Sequence, residues 1–143
     1  MLDRAERAYR ALLMIVRRHT STDPDAVGPS EVLWALHGVA ESLGQPDRAR
    51  ETLESAFETA ARSDLESVRL GRVLRAAGRF DLLLRCQSAR LGLEHTPAEA
   101  AEILKDMAVV LEMALDRPGE ALDARLRALA CTPLDMDLHD ASL

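Results

Sequence analysis

The stretch Leu70–Asp81, LGRVLRAAGRFD, decides the fold of this chain. It predicts the second half of an amphipathic helix, a turn at a glycine and the first turn of the next helix. The same pattern occurs 34 residues upstream, with Leu36 matching Leu70, Ala40 matching Leu74 and Gly44 matching Gly78. A fixed period of this length is typical of stacked helical hairpins.

The composition favours helices throughout. The chain has 143 residues, which suffices for one domain with a moderate core. Hydrophobic residues make up 48% and aromatic residues only 3%, so the core must consist of Leu, Ala, Val and Met. Ala, Leu, Arg and Glu have high helix propensity, and runs of β-branched residues are absent. We therefore predict an all-α fold.

Charge and cysteine content limit the classes of partner. A net charge of −6 disfavours nucleic acid, which binds basic surfaces. The apolar run Leu12–Val16 is too short to span a bilayer, and no signal-peptide pattern is present, so a membrane is not an expected partner. Cys86 and Cys131 lack any ligand-like spacing and are expected to be free thiols in a reducing compartment. These observations predict a cytoplasmic protein.

The helical periodicity and the capping signals predict seven helices with short connections. Prolines open three of them, and Ser63–Glu66 and Thr96–Glu99 have the pattern of a capping box. The third hairpin needs one extra residue in its turn, within Asp116–Gly119. We expect the segment 134–143 to be a flexible tail. The predicted helices cover about 2–19, 30–43, 46–62, 63–77, 79–91, 97–115 and 118–132.

Apolar spacing also predicts which faces are buried. Leu13–Val16 is apolar all round and predicts that the first helix has neighbours on more than one side. Small residues such as Ala49 and Ala56 predict that the third helix approaches a neighbouring helix closely. The stripe of the first helix comprises Leu2, Ala5, Tyr9, Leu12, Leu13 and Val16. The stripe of the seventh comprises Ala121, Leu122, Arg125, Ala128 and Leu129.

These features resemble the tetratricopeptide repeat (TPR) family, in which a helical hairpin recurs every 34 residues. The resemblance implies an α-solenoid of antiparallel hairpins in a single domain, 1–133, with a half repeat at 1–19 and repeats at 30–62, 63–95 and 97–133. His37 stands where the family prefers Gly. The matching positions are Leu33, Leu36, Ala40, Gly44, Ala49, Leu53 and Ala56, then Leu70, Gly71, Leu74, Gly78, Phe80 and Asp81, then Leu104, Met107, Ala108, Leu111, Ala121, Ala128 and Pro133.

Two shorter motifs are similar to those in long bacterial TPR arrays of the myxobacterial type. They are Asp-Arg-Ala, at 3–5 and again at 47–49, and Pro-Gly-Glu-Ala-Leu at 118–122. This likeness implies that the chain is a piece of a longer array. A hairpin cannot bury its apolar face alone, so a terminal half repeat leaves part of that face uncovered.

The resemblance further implies a concave groove lined by the first helix of each hairpin. A Trp beside Arg and Lys is typical of a binding hot spot, so we expect a peptide or helix, acidic in character, as the ligand. Burial of Trp34 in the core is the alternative, and both interpretations stay open. The candidate partner-binding residues are Trp34, Glu41, Val68, Arg72, Arg75, Lys105, Val109 and Glu112.

The favoured function is therefore a protein–protein interaction scaffold. The alternative is a structural spacer, or a segment that self-associates as a homo-oligomer through its exposed first helix. We do not expect an enzyme, a cofactor or a metal, because no phosphate loop, nucleophile motif or zinc spacing is present. The segment 135–140 lacks the Gly and the distant Glu of a calcium loop. The four histidines, His19, His37, His95 and His139, are interpreted as structural or surface residues.

Overall fold

The computed structural model describes residues 2–18, 22–23 and 26–131. This part of the chain is all-helical and has no strand, which confirms the predicted fold class. The predictions for His19, the loop residues 20–21 and 24–25, His139 and the tail 134–143 lie outside the described residues. The helices are α1 Leu2–Arg18, α2 Pro29–Ser42, α3 Pro46–Ala61, α4 Asp64–Ala76, α5 Phe80–Leu91, α6 Pro97–Val109, a π-helical segment Val110–Ala114, and α7 Pro118–Cys131.

The helices group into two compact units. Unit 1, Met1–Gly78, contains α1 to α4, and unit 2, Arg79–Leu143, contains α5 to α7. In unit 1, α2 packs against α1, α3 and α4, and α3 also packs against α4. In unit 2, α6 packs against α5 and α7. The helices of the predicted repeat 63–95 therefore belong to different units, and the division of the chain into repeats stays a prediction.

Residues related by the 34-residue period have equivalent environments. Gly44 and Gly78 both have a positive φ, of 69° and 71°, which a glycine adopts without steric cost. Their backbone N–H groups bond carbonyls of Glu41 and Arg75, again 34 residues apart, at 3.1 Å each. The predicted glycine turns are thus confirmed. The matching core positions are all buried, namely Leu36, Leu70 and Leu104 in one row and Ala40, Leu74 and Ala108 in the other.

The third hairpin departs from this period. The π-helical segment Val110–Ala114 prolongs α6, and the Leu115 N–H donates to the Val110 carbonyl at 3.1 Å. The residue with positive φ is then Asp116, at 51°, and Gly119 already lies inside α7. The prediction of one extra residue in the turn at Asp116–Gly119 was wrong, because the π-helical segment lengthens the first helix of the hairpin and takes up the additional chain. The predicted start of the seventh helix near Pro118 is confirmed.

The predicted helix start at Thr96 is confirmed in detail. The Thr96 Oγ1 accepts from the Glu99 N–H at 3.2 Å and donates to Glu99 Oε1 at 3.0 Å. Hydrogen bonds from the Thr96 side chain, then from the His95 side chain, hold the pKa of Glu99 below its ordinary value. A hydrogen bond from the Thr96 backbone N–H contributes to the same lowering of the pKa of Glu99, and this bond is the return half of the capping box that the sequence predicts.

Replacing Thr96 with Val should raise the pKa of Glu99 toward its ordinary value, because the strongest donor to the carboxylate is lost. A depressed pKa stabilises the fold above the unfolded-state pKa, and this contribution disappears as the pH falls through the folded-state pKa. The stability difference between wild type and Thr96→Val should therefore shrink in acid. NMR titration of the Glu99 carboxyl carbon measures the shift. Thr96→Ser keeps the hydroxyl and should keep the low pKa; equal titration of Ser and Val variants would contradict the assignment.

Three alanines of α3 are buried where this helix packs against α2 and α4. Ala56 and Ala60 have no exposed surface, and Ala49 is buried as well. Small side chains at these positions let the backbones of neighbouring helices approach. The predicted close contact of α3 is thereby confirmed.

Substituting Ala56 with Leu should destabilise unit 1 by about 2 kcal/mol, because a well-packed core has no room for three further carbon atoms. A thermal melt followed by circular dichroism measures the effect. Ala61→Leu makes the same change at an exposed position of α3 and should leave the melting temperature nearly unchanged. Equal melting temperatures for the two variants would show that Ala56 is not tightly packed.

The environment of α1 differs from the prediction. Leu13 is buried, but Leu12, Met14 and Ile15 are exposed. Within unit 1, α1 packs chiefly against α2, so only one side of the all-apolar stretch is covered. The expectation of neighbours on more than one side was therefore wrong for the described residues.

A buried polar cluster joins α2 to α4. Glu66 Oε1 accepts from the Ser30 N–H at 3.0 Å and lies 3.0 Å from Ser30 Oγ. Its Oε2 lies 2.5 Å from Arg69 Nη1, and Arg69 Nη2 donates to the Asp23 carbonyl at 2.6 Å. Only 7% of Glu66 and 2% of Arg69 is exposed. We call Ser30, Glu66, Arg69 and the Asp23 carbonyl the Glu66 cluster.

The Glu66 cluster corrects the predicted capping box at Ser63. The Ser63 Oγ does accept from the Glu66 N–H, at 3.4 Å. The Glu66 carboxylate, however, bonds Ser30 and Arg69, so the reciprocal half of the box gives way to a tertiary contact. A charged hydrogen bond inside the core is stronger than a return bond at a solvated helix end.

Candidate binding surfaces

The predicted site residues of unit 1 lie on α2 and α4. Trp34 is half-buried, and its ring stacks on the ring of His37 with centroids 5.2 Å apart and planes inclined by 29°. Val68 is half-buried, and Arg72 and Arg75 are exposed. Trp34 is thus neither a core residue nor a freely exposed anchor, because one face of its ring is covered by an aromatic neighbour.

His37 fixes the position of this ring. It is buried, its Nδ1 lies 2.7 Å from the Ala49 carbonyl, and its Nε2 lies 2.9 Å from Glu41 Oε1. A carbonyl oxygen only accepts, so Nδ1 must carry a proton. The site residue Glu41 is therefore an exposed ion-pair or hydrogen-bond partner of a buried imidazole. Sequence analysis gave His37 no role beyond a structural one, and its i, i+4 spacing to Glu41 was the available signal.

A cavity of about 380 Å³ opens beside the same imidazole. Glu41, Arg50 and Leu53 contribute to its wall, together with Gly44 and Pro46 at the turn between α2 and α3. Arg50 bonds Asp47 at 2.9 Å. The wall thus offers a cation and a carboxylate above an apolar floor.

In unit 2, two of the three predicted site residues line a cleft of about 320 Å³ between α6 and α7, whereas Glu112 is not among its lining residues. Lys105 and Val109 from α6 line it with Arg125, Ala128 and Leu129 from α7. We call this the α6–α7 cleft. Its floor is apolar and two cations stand at its rim, which is the composition of a site for an acidic, partly apolar ligand.

The charges of the cleft are tied to neighbouring acids. Lys105 Nζ lies 3.3 Å from Glu102 Oε1, and Arg125 forms an ion pair with Glu112. All four side chains are exposed, so these pairs contribute little to stability and can exchange for a ligand carboxylate at small cost. Glu112 therefore acts on the cleft through Arg125.

Three leucines of α7 form an exposed row beside the cleft. Leu122, Leu126 and Leu129 are 56%, 54% and 43% exposed, and their i, i+4, i+7 spacing places them on one helix face. We call them the leucine stripe. The prediction that Leu122, Arg125 and Leu129 lie on the buried face was wrong; Ala121, Ala124 and Ala128 form that face, because only small residues fit where α7 approaches α6. Leu126 was missed altogether.

No three His, Cys, Asp or Glu side chains within residues 2–18, 22–23 and 26–131 lie close enough together to hold a metal ion. None of the helices described is both long and apolar enough to cross a membrane. Cys86 and Cys131 are not joined in a disulfide.

The chain was also compared with known proteins. It matches no family model, and no curated protein or solved structure is significantly similar to it.

Proposed function

We propose that this protein is a protein–protein interaction module built from TPR-like hairpins, and that the α6–α7 cleft with the leucine stripe is its docking surface. The observation that carries the proposal is the exposed leucine stripe beside two rim cations. Solvent-exposed leucines in a row are unfavourable in water, whereas an interface uses them as its apolar centre.

The chemistry of this surface selects a ligand class. An amphipathic helix or extended peptide fits the apolar row, and carboxylates on its flank fit Lys105 and Arg125. Such a ligand would gain apolar burial against Leu126 and Leu129, with the charges contributing orientation and association rate. This supports an acidic protein partner. The reduced state of Cys86 and Cys131 supports a reducing, cytoplasmic setting for the encounter.

A photo-crosslinking residue placed at Leu129 tests the proposal. The captured segment should carry several carboxylates beside apolar residues. Leu126→Asp should abolish capture, because it puts a like charge against that segment, whereas Ala98→Asp at an exposed site of α6 should not. Equal capture by both variants, or a captured segment without acidic residues, would refute it. The Trp34→Ala variant, tested in the same way, shows separately whether the α2 surface contributes to capture of the partner.

Self-association is the second candidate, because a specific observation favours it. Leu12 and Ile15 of α1 are exposed and, being three residues apart, lie on one face of the helix. Met14 is exposed on a neighbouring face. An apolar helix face of this kind is self-complementary in many dimers. Sedimentation of the full chain should then show a concentration-dependent dimer that Ile15→Ser dissociates and Leu126→Asp does not. A monomer over the whole concentration range would exclude it.

A further inference from the structure

We propose that unit 1 binds the oligophosphate group of a small molecule in a cavity between α1 and α3, none of whose lining residues belongs to the α6–α7 cleft. The cavity has a volume of about 410 Å³, and small-molecule sites usually have about 300–1,000 Å³. It exists because α1 and α3 both pack against α2, whereas the described residues of α1 and α3 do not pack against each other. Leu33 and Leu36 of α2 form its floor.

The two helix faces that line the cavity are rich in arginine. On α1, Arg10, Leu13 and Arg17 line it, and their i, i+3, i+7 spacing places them on one face. The lining residues of α3 likewise share one face, and they are Arg48, Glu51, Thr52 and Ser55. Three guanidinium groups and one carboxylate therefore line the cavity, which favours an anionic ligand.

Two of these arginines already bind the same oxygen atom. Arg10 Nε lies 3.1 Å and Arg48 Nη2 lies 2.7 Å from Glu6 Oε1, and the side chain of Glu6 is only 15% exposed. Each guanidinium has five N–H donors, so this carboxylate uses only part of what the two arginines can donate. The helices α1 and α3 are thus placed so that two guanidiniums bind one oxyanion at one end of the cavity.

Arg17 supplies a cation toward the other end. It lies seven residues beyond Arg10, about 10 Å along α1, and it forms no ion pair with a residue in the part of the chain that the structure describes. A carboxylate has one charge and two oxygens, whereas a phosphoryl group has three terminal oxygens and close to two charges. Donors spread over about 10 Å therefore fit a chain of phosphoryl groups better than a single carboxylate or a single phosphate.

Isothermal titration calorimetry of the full chain with inorganic tripolyphosphate, at about 0.15 M ionic strength, tests the proposal. The net charge of −6 repels a polyanion, so binding reports on the local arginines. Arg17→Gln should weaken binding at least about tenfold. Arg18→Gln removes the same charge from an exposed position of α1 outside the lining, and it should change the affinity less than about twofold. Equal losses for the two variants, or no binding at millimolar tripolyphosphate, would overturn the proposal.

Two further measurements test the position of the site and the class of ligand. Glu51→Gln removes a carboxylate from the wall and should tighten binding at least about threefold, a gain that cannot result from unfolding. An unchanged or lower affinity of this variant would overturn the placement in this cavity. Citrate, whose charges are all carboxylates, should bind at least about tenfold more weakly than tripolyphosphate. Equal affinity for the two anions would overturn the assignment to phosphoryl groups.

Discussion

Replacing Arg69 with Met is expected to lower the free energy of unfolding of unit 1 by about 3–5 kcal/mol. The guanidinium is 2% exposed and lies between Glu66 and the Asp23 carbonyl. Its removal leaves the Glu66 carboxylate buried with only the Ser30 donors, and it leaves the Asp23 carbonyl without this bond. Urea unfolding followed by the fluorescence of Trp34, the only tryptophan, reports on this unit.

Arg72→Met is the matched control, since it removes the same charge from an exposed site of the same helix and should cost less than about 0.5 kcal/mol. Adding Glu66→Gln to Arg69→Met should recover about 1–3 kcal/mol, because a neutral amide still accepts from Ser30 without a buried charge. If Arg69→Met cost no more than Arg72→Met, the Glu66 cluster would not contribute to the stability of unit 1.

Gly28→Ala is expected to destabilise unit 1 by about 3 kcal/mol, although the φ of −108° suits any residue. A Cβ at this position would lie 2.3 Å and 2.6 Å from the carboxylate oxygens of Glu66 and 2.8 Å from Arg69 Cδ. A carboxylate at the surface would simply move aside. Here Ser30 and Arg69 hold it, so making room breaks hydrogen bonds that no water replaces.

Gly38→Ala, inside α2, is expected to have the opposite effect to Gly28→Ala at the N-cap of that helix. No atom lies within 4 Å of a Cβ added there, and the position is exposed. Alanine should therefore stabilise α2 by about 0.5–1 kcal/mol through its better helix propensity. The urea midpoints of the two variants should move in opposite directions. A shift in the same direction for both would show that the crowding at Gly28 is relieved by local movement.

The local elements of the fold follow from short-range signals in the sequence. Gly44 and Gly78 mark turns because no other residue adopts their φ as readily, and Thr96 marks a helix start because its hydroxyl replaces a missing acceptor. The period of 34 then predicts that Leu36, Leu70 and Leu104 are equivalent, and all three are buried. Signals of this kind involve neighbours in the chain, so one sequence suffices to detect them.

Contacts between residues far apart in the sequence were harder to predict. Glu66 has the spacing of a capping-box residue, yet its carboxylate bonds Ser30, 36 residues away. No feature of the neighbouring sequence distinguishes a carboxylate that bonds its own helix end from one that bonds a distant residue. On α7, alanine and leucine are both apolar, and the sequence pattern cannot tell which of two apolar faces meets α6. The structure selects Ala121, Ala124 and Ala128, because the helices are close, and leaves Leu126 outside.

The candidate site was predicted in part for the same reason. The resemblance to TPR hairpins implied that Lys105 and Val109 line a groove, and both residues line the α6–α7 cleft. Their companions Arg125 and Leu129 were assigned to the core, since the approach of α7 was not known. Trp34 was left between two alternatives, and its stacking on His37 depends on a buried imidazole that periodicity alone does not reveal.

The Glu66 cluster also determines the register between α2 and α4. Leucines recur along α4, so apolar packing by itself would tolerate a slide of one helical turn, about 5.4 Å. Such a slide would take Glu66 away from Ser30 and leave the Arg69 guanidinium among apolar groups. The two helices can therefore associate in one alignment only, and Ser30 identifies the correct partner for α4 among otherwise similar helices.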